Sequence, residues 1–190
     1  DRFTIVATSN DEPAANQRTA EMPLARGVDG LVLATTRTGD GLADKLSAQG
    51  VRFVLALRTD GVHPSSVGDD ALGGYLAARH LIDLGHQRIG VIAGPADTSS
   101  AVSWVEGYRR AMEEAGLVVQ PEWIVPSTFG SDAGHLAARE LMTLASPPTA
   151  IFAINDNTAM GALSALAQLG VSVPGDISVV GYNDIPIVSI

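Results

Sequence analysis

Residues 84 to 95, LGHQRIGVIAGP, limit what the rest of the chain can be. Gly85 can take the left-handed conformation that ends a helix, and His86, Gln87 and Arg88 form a polar connection. Ile89 to Ala93 is then apolar without interruption, and Gly94-Pro95 stops it. A strand with no polar side is buried on both faces, as in parallel sheets clothed by helices. The segment reads as the junction between two lobes, residues 1–86 and 87–190.

On both sides the chain alternates strand and helix at crossover spacing. FTIVATS (3 to 9) reads as a strand, and Asn10 to Pro13 carries the start signals of a helix reaching about Arg26. Pro23 lies inside that helix and predicts a kink or an early end, since it lacks a donor and crowds the preceding turn. GLVLA (30 to 34) is a buried strand ending at Thr35 and Thr36. A short helix over 40 to 49 turns Leu42 and Leu46 inward, VRFVLAL (51 to 57) is a strand, and residues 66 to 68 are briefly extended. Asp69 or Asp70 caps a helix to Leu84 with Leu72, Leu76 and Leu81 inward. Helices follow over 101 to 115, with hydroxyl caps offered by Thr98 to Ser100, over residues up to 144 capped by Ser131 and Asp132, and from Asp156 or Asn157 to 169. They are interleaved with strands at 123 to 127, 150 to 155 and 177 to 182. The expected fold is α/β: two similar lobes, each a parallel sheet flanked by helices on both faces.

In such sheets ligands lie beyond the carboxyl ends of the strands, where helix N-termini also point. Ser9, Asn10, Thr35, Leu57, Arg58, Pro95, Phe129, Asn155, Asp156, Asn183 and Asp184 fall there. Asn155-Asp156 and Asn183-Asp184 each follow a strand of the second lobe. Asn155 is the preferred ligand contact, because its amide both donates and accepts while Asp156 has the alternative of capping a helix.

Catalytic and cofactor devices are missing. There is no G-x-S-x-G elbow, no phosphate loop and no dinucleotide fingerprint. His63, His80, His86 and His135 are scattered without metal-ligand spacing, and cysteine is absent. His80 reads as a core histidine and His86 as a ligand of backbone carbonyls. Asp69-Asp70 could be paired acid-base carboxylates, but a helix start explains them better. No enzyme activity, metal or cofactor is expected. A net charge of −9 opposes nucleic-acid binding by most of this surface. No apolar run approaches the roughly 20 residues of a membrane span.

The wording of several segments is similar to the effector-binding domain of LacI/GalR-family transcriptional regulators. These are VDGLVL (28 to 33), GGYLAARHLIDLGHQRIGVIAGP (73 to 95), EGYRRAMEEAGL (106 to 117), PPTAIFAINDNTAMGAL (147 to 163) and VPGDISVVGYND (173 to 184). The resemblance implies two periplasmic-binding-protein-like lobes of type I, a small-molecule effector in a cleft between them, homodimerisation and a cytoplasmic location. It also implies operator DNA bound through a preceding helix-turn-helix, which lies outside this chain along with the first strand and helix of the first lobe. A periplasmic solute-binding protein of a sugar transporter is the alternative.

Carried over residue by residue, the effector site comprises Asn10, Leu57, Arg58, Trp104, Phe129, Asn155 and Asn183. Phe129 matches the aromatic that stacks on the effector. Three positions depart from the pattern. Leu57 replaces an aspartate before Arg58, Trp104 replaces an arginine before Gly107-Tyr108, and Asn183 replaces an aspartate. A cleft that exchanges charges for leucine, indole and amide loses a hydrogen-bonding clamp and gains stacking surface. The effector is therefore expected to be flatter or less hydroxylated than a free hexose or pentose. Met160 matches a subunit-interface position, with a core role as the alternative.

Overall fold

The computed structural model describes residues 3–9 and 11–186. Packing divides the chain into two units, residues 1–68 with 97–100 and residues 69–96 with 101–190.

In the first unit the strands β1 (Leu31–Leu33), β2 (Phe53–Ala56) and β3 (Ser65–Ser66) form a parallel sheet in that order. Helices α1 (Pro13–Leu24) and α2 (Leu42–Ala48) both pack on one face of it. Ala20, Leu42 and Leu46 meet Leu31, Leu33 and Phe53 there, so the inward reading of Leu42 and Leu46 holds. Val32, on the other face, is exposed. Cover on both faces, expected from the strand pattern, is therefore not found here among the described residues. Pro23 ends α1 early, one residue before its last.

Residues 3 to 9 form no strand, contrary to expectation, and Phe3, Ile5 and Val6 are exposed. A β-prone run becomes a strand only when a neighbouring edge supplies donors and acceptors, and no described residue pairs with it.

The second unit has both faces covered. Its sheet is parallel in the order β5-β4-β6-β7, formed by β4 (Ile89–Ala93), β5 (Ile124–Pro126), β6 (Ala150–Ala153) and β7 (Ser178–Val180). Every residue of β4 is buried, as its apolar pattern demands. Ile89, Val91 and Ala93 point toward α3 (Asp70–Asp83) and α4 (Ser99–Glu114), while Ile92 points toward α5 (Ser131–Thr143) and α6 (Asp156–Gln168). Burying each large side chain on this strand contributes about 1.5–3 kcal/mol.

Each helix pair crosses at backbone distance. A Cβ on Gly74 would run into the Trp104 carbonyl, and one on Gly107 into that of Ala71. Gly134 and Gly161 meet the carbonyls of Thr158 and Ser131 in the same way. This explains two corrections on α3. Leu72, Leu76 and His80 were expected to face inward but are exposed, because the buried side of the helix is Gly74, Ala78 and Leu81. It also explains why α3, assigned by strand grammar to the first lobe, packs within the second unit. His86 bridges the hydroxyls of Thr149 and Ser178, each at 3.0 Å, rather than backbone carbonyls.

Candidate functional site

At the carboxyl end of the first sheet the chain builds a polar rim. Asn16, buried on α1, donates Nδ2 to the Thr35 carbonyl at 2.7 Å and accepts from the hydroxyls of Thr35 and Ser9. That fixes the ends of two connections. Asp11, expected only as a helix-start signal, instead accepts both terminal nitrogens of Arg58 at 2.8 and 3.0 Å. The cap position of α1 is Glu12, with no side-chain bond to the helix. Arg37 donates to Asp11 and, at 2.7 Å, to Asp97. Ser99 accepts the Thr59 N–H at 2.9 Å.

Leu57, where β2 leaves the sheet, has φ 66° and is 67% exposed. A left-handed backbone is unfavourable for a branched side chain, and such residues persist where the surroundings impose them. Below it, Asp60 holds the loop. Burial acts to raise its pKa, but the N–H groups of His63 and Val62 and the His63 ring outweigh burial and lower it to about 2.

The corresponding rim of the second unit is aromatic. Trp104 and Tyr182 lie with ring centroids 5.2 Å apart at 57°. Gly73 leaves room for the Tyr182 ring, which a Cβ there would strike. Phe129 packs over Gly94, where an added Cβ would come within 2.9 Å of the ring. Asn155 caps α6, accepting the Thr158 N–H at 2.8 Å and donating to the Phe129 carbonyl at 3.2 Å. The capping role foreseen for Asp156 thus belongs to Asn155. Asp156 instead accepts the Ile185 N–H at 2.8 Å, and Gly181 gives its carboxylate room. On α5 the cap expected from Ser131 and Asp132 is not formed: the cap position is Gly130, and no side chain bonds to the helix start there.

Within the second unit the structure gathers Trp104, Phe129 and Asn155 around the strand ends. Asn183 follows them on an exposed turn with φ 104°. Leu57 and Arg58 stand together on the first unit, and Asn10 lies outside the described residues. Met160 is half-buried on α6.

Three buried polar atoms have no partner among the described residues: the hydroxyls of Thr36 and Thr98 and the indole N–H of Trp104. Trp104 is 8% exposed and Thr98 fully buried. A buried group without a partner costs about 1–3 kcal/mol, so such groups point to a bound water, ion or ligand. Sequence reasoning picked Thr35 for the rim, yet its hydroxyl is bonded to Asn16. Thr98 had been read only as a helix cap. No group of three or more acidic or histidine side chains suited to a metal occurs among the described residues. No helix there is long and apolar enough to cross a membrane.

Residues 1–189 match the family described as periplasmic binding proteins and sugar binding domain of LacI family. The chain is 37% identical over 183 residues to the HTH-type transcriptional repressor PurR of Haemophilus influenzae strain PittEE, covering 95% of this chain and 54% of the repressor. It thus spans about half the length of that relative. Among solved structures it is similar to a LacI-family transcriptional regulator from Mycobacterium smegmatis, with TM-score 0.85 and 34% identity over 92% of this chain and 65% of that one. A transcriptional regulator CelR–cellobiose complex aligns with TM-score 0.82 and 34% identity, over 90% and 54% of the two chains. Relatives of this kind do not favour the transporter alternative.

Proposed function

This chain belongs to the family of periplasmic binding proteins and sugar-binding domains of the LacI family, and from that membership we propose that it is the effector-sensing portion of a transcriptional repressor. The single observation that carries the reading is Trp104, a buried indole whose N–H has no partner among the described residues. It gives a ligand one donor, with the rings of Tyr182 and Phe129 nearby in the same unit. On the first unit, taken by itself, the hydroxyls of Thr36 and Thr98 are buried without a partner among the described residues. Asn155 is pinned by its cap, but its amide has a second N–H to offer. Leu57 supplies an exposed apolar side chain in a strained backbone.

The effector that the aromatic rim of the second unit suits is flatter or less hydroxylated than a free hexose or pentose. A structural neighbour holds cellobiose, so disaccharides belong in the test. Isothermal titration with monosaccharides, disaccharides, aryl glycosides and aromatic metabolites should show binding by the flatter compounds, weakened at least tenfold by Trp104→Ala. Tight binding of an ordinary monosaccharide overturns the reading.

Effector binding acts on DNA only if it favours one arrangement of the protein over another. In this reading the operator is bound by a helix-turn-helix elsewhere in the full-length protein, in the cytoplasm. Met160 is proposed as a contact in a homodimer. Sedimentation of Met160→Arg should show monomer where the wild type shows dimer.

A further inference from the structure

Two guanidinium groups stand at the first unit's rim, and both bond to the carboxylate of Asp11. Arg58, 10% exposed in its side chain, closes a two-point fork on Asp11, Nη1 to Oδ1 at 2.8 Å and Nη2 to Oδ2 at 3.0 Å. Arg37 grips the same residue, with Nε and Nη2 on the Asp11 carbonyl oxygen at 3.1 and 2.9 Å and Nη2 on Oδ2 at 3.3 Å. Its Nη1 reaches Asp97 at 2.7 Å. Asp40 accepts the Arg37 backbone N–H at 2.8 Å. Asp11 sits at φ 60°, a conformation that Asp and Asn tolerate best among non-glycine residues. The polar atoms of this rim without a partner among the described residues, on Thr36 and Thr98, are uncharged.

We propose that Asp11 is a built-in counter-anion: it fills the fork that Arg58 would otherwise present to a phosphate or carboxylate, and so reserves this rim for uncharged effectors. The effector half rests on the sensing role proposed above, while the charge half concerns Asp11, Arg37 and Arg58 alone. An arriving anion has to displace a two-point carboxylate pair and approach Asp97 and Asp40 as it does so. A neutral ligand meets neither obstacle.

Asp11→Asn tests this, because it removes the charge while keeping the shape and the tolerance of a left-handed backbone. The probe is inorganic phosphate, compared with sodium chloride of equal ionic strength. Wild type is expected to melt at the same temperature in both. Asp11→Asn is expected to melt about 3 °C higher in phosphate, saturably. Adding Arg58→Gln should abolish that gain. If the single variant is unfolded in chloride, refolding in phosphate counts as the same gain. A saturable phosphate response of the wild type, or none from Asp11→Asn in either state, overturns the proposal. Titrating wild type with neutral glycosides and sugar phosphates separates the two halves. Preference for the sugar phosphates overturns the counter-anion, whereas a phosphate gain in Asp11→Asn with no small molecule bound by wild type supports it and removes the sensing role.

Discussion

The two rims occupy equivalent topological positions, at the carboxyl ends of parallel strands, yet they are made of opposite materials. The first is charge and hydroxyl: Asp11, Thr36, Arg37, Arg58, Asp97 and Thr98, with the ions paired to one another. The second is ring surface: Trp104, Tyr182 and Phe129, seated over Gly73 and Gly94. Charged groups need partners from distant parts of the sequence, as Asp11 and Arg58 show. Rings need room, which is why glycine accompanies them.

The contrast breaks most completely where the ring-bearing helices cross. Gly107→Val drives a Cβ into the Ala71 carbonyl and the Tyr75 nitrogen, backbone atoms that cannot turn aside. It should cost about 3 kcal/mol or more in urea unfolding. On the charged side, Asp60 is the sharper probe. Its folded pKa of about 2 lies below the ordinary 3.8, so its contribution is complete above about pH 4 and fades as pH falls toward 2. Unfolding midpoints across that window should show a loss of about 2 kcal/mol that Asp60→Asn lacks. Asn155→Ala removes a helix cap and the tie to Phe129 and should cost about 1–1.5 kcal/mol, with Asn155→Asp retaining most of it by keeping the cap. The smallest effect belongs to Leu57→Asn, which relieves a left-handed leucine and should raise stability by about 0.5 kcal/mol in thermal melts.

Much of the second unit was legible because its signals are local. An unbroken apolar β4 required cover on both faces, and Gly85, Gly116 and Gly170 fall at helix ends with positive φ. The inward side of α3 was not legible, because a crossing at backbone contact inverts the usual rule: the small residues go in and the leucines stay out. Asn155 and Asp156 were exchanged because both side chains can cap, and only the turn of β6 into α6 decides which does. The partnership of Asp11 with Arg58 joins residues 47 positions apart, and no periodicity reports it. Trp104 was found through resemblance to a family. Its unpartnered N–H could be known only from its burial.

The four crossing glycines also bear on movement. Helices that touch backbone to backbone can pivot about the contact, but sliding would push a neighbouring side chain into a notch cut for a hydrogen atom. Shear between α3 and α4, or between α5 and α6, is thereby disfavoured, and the second unit should move as a solid body.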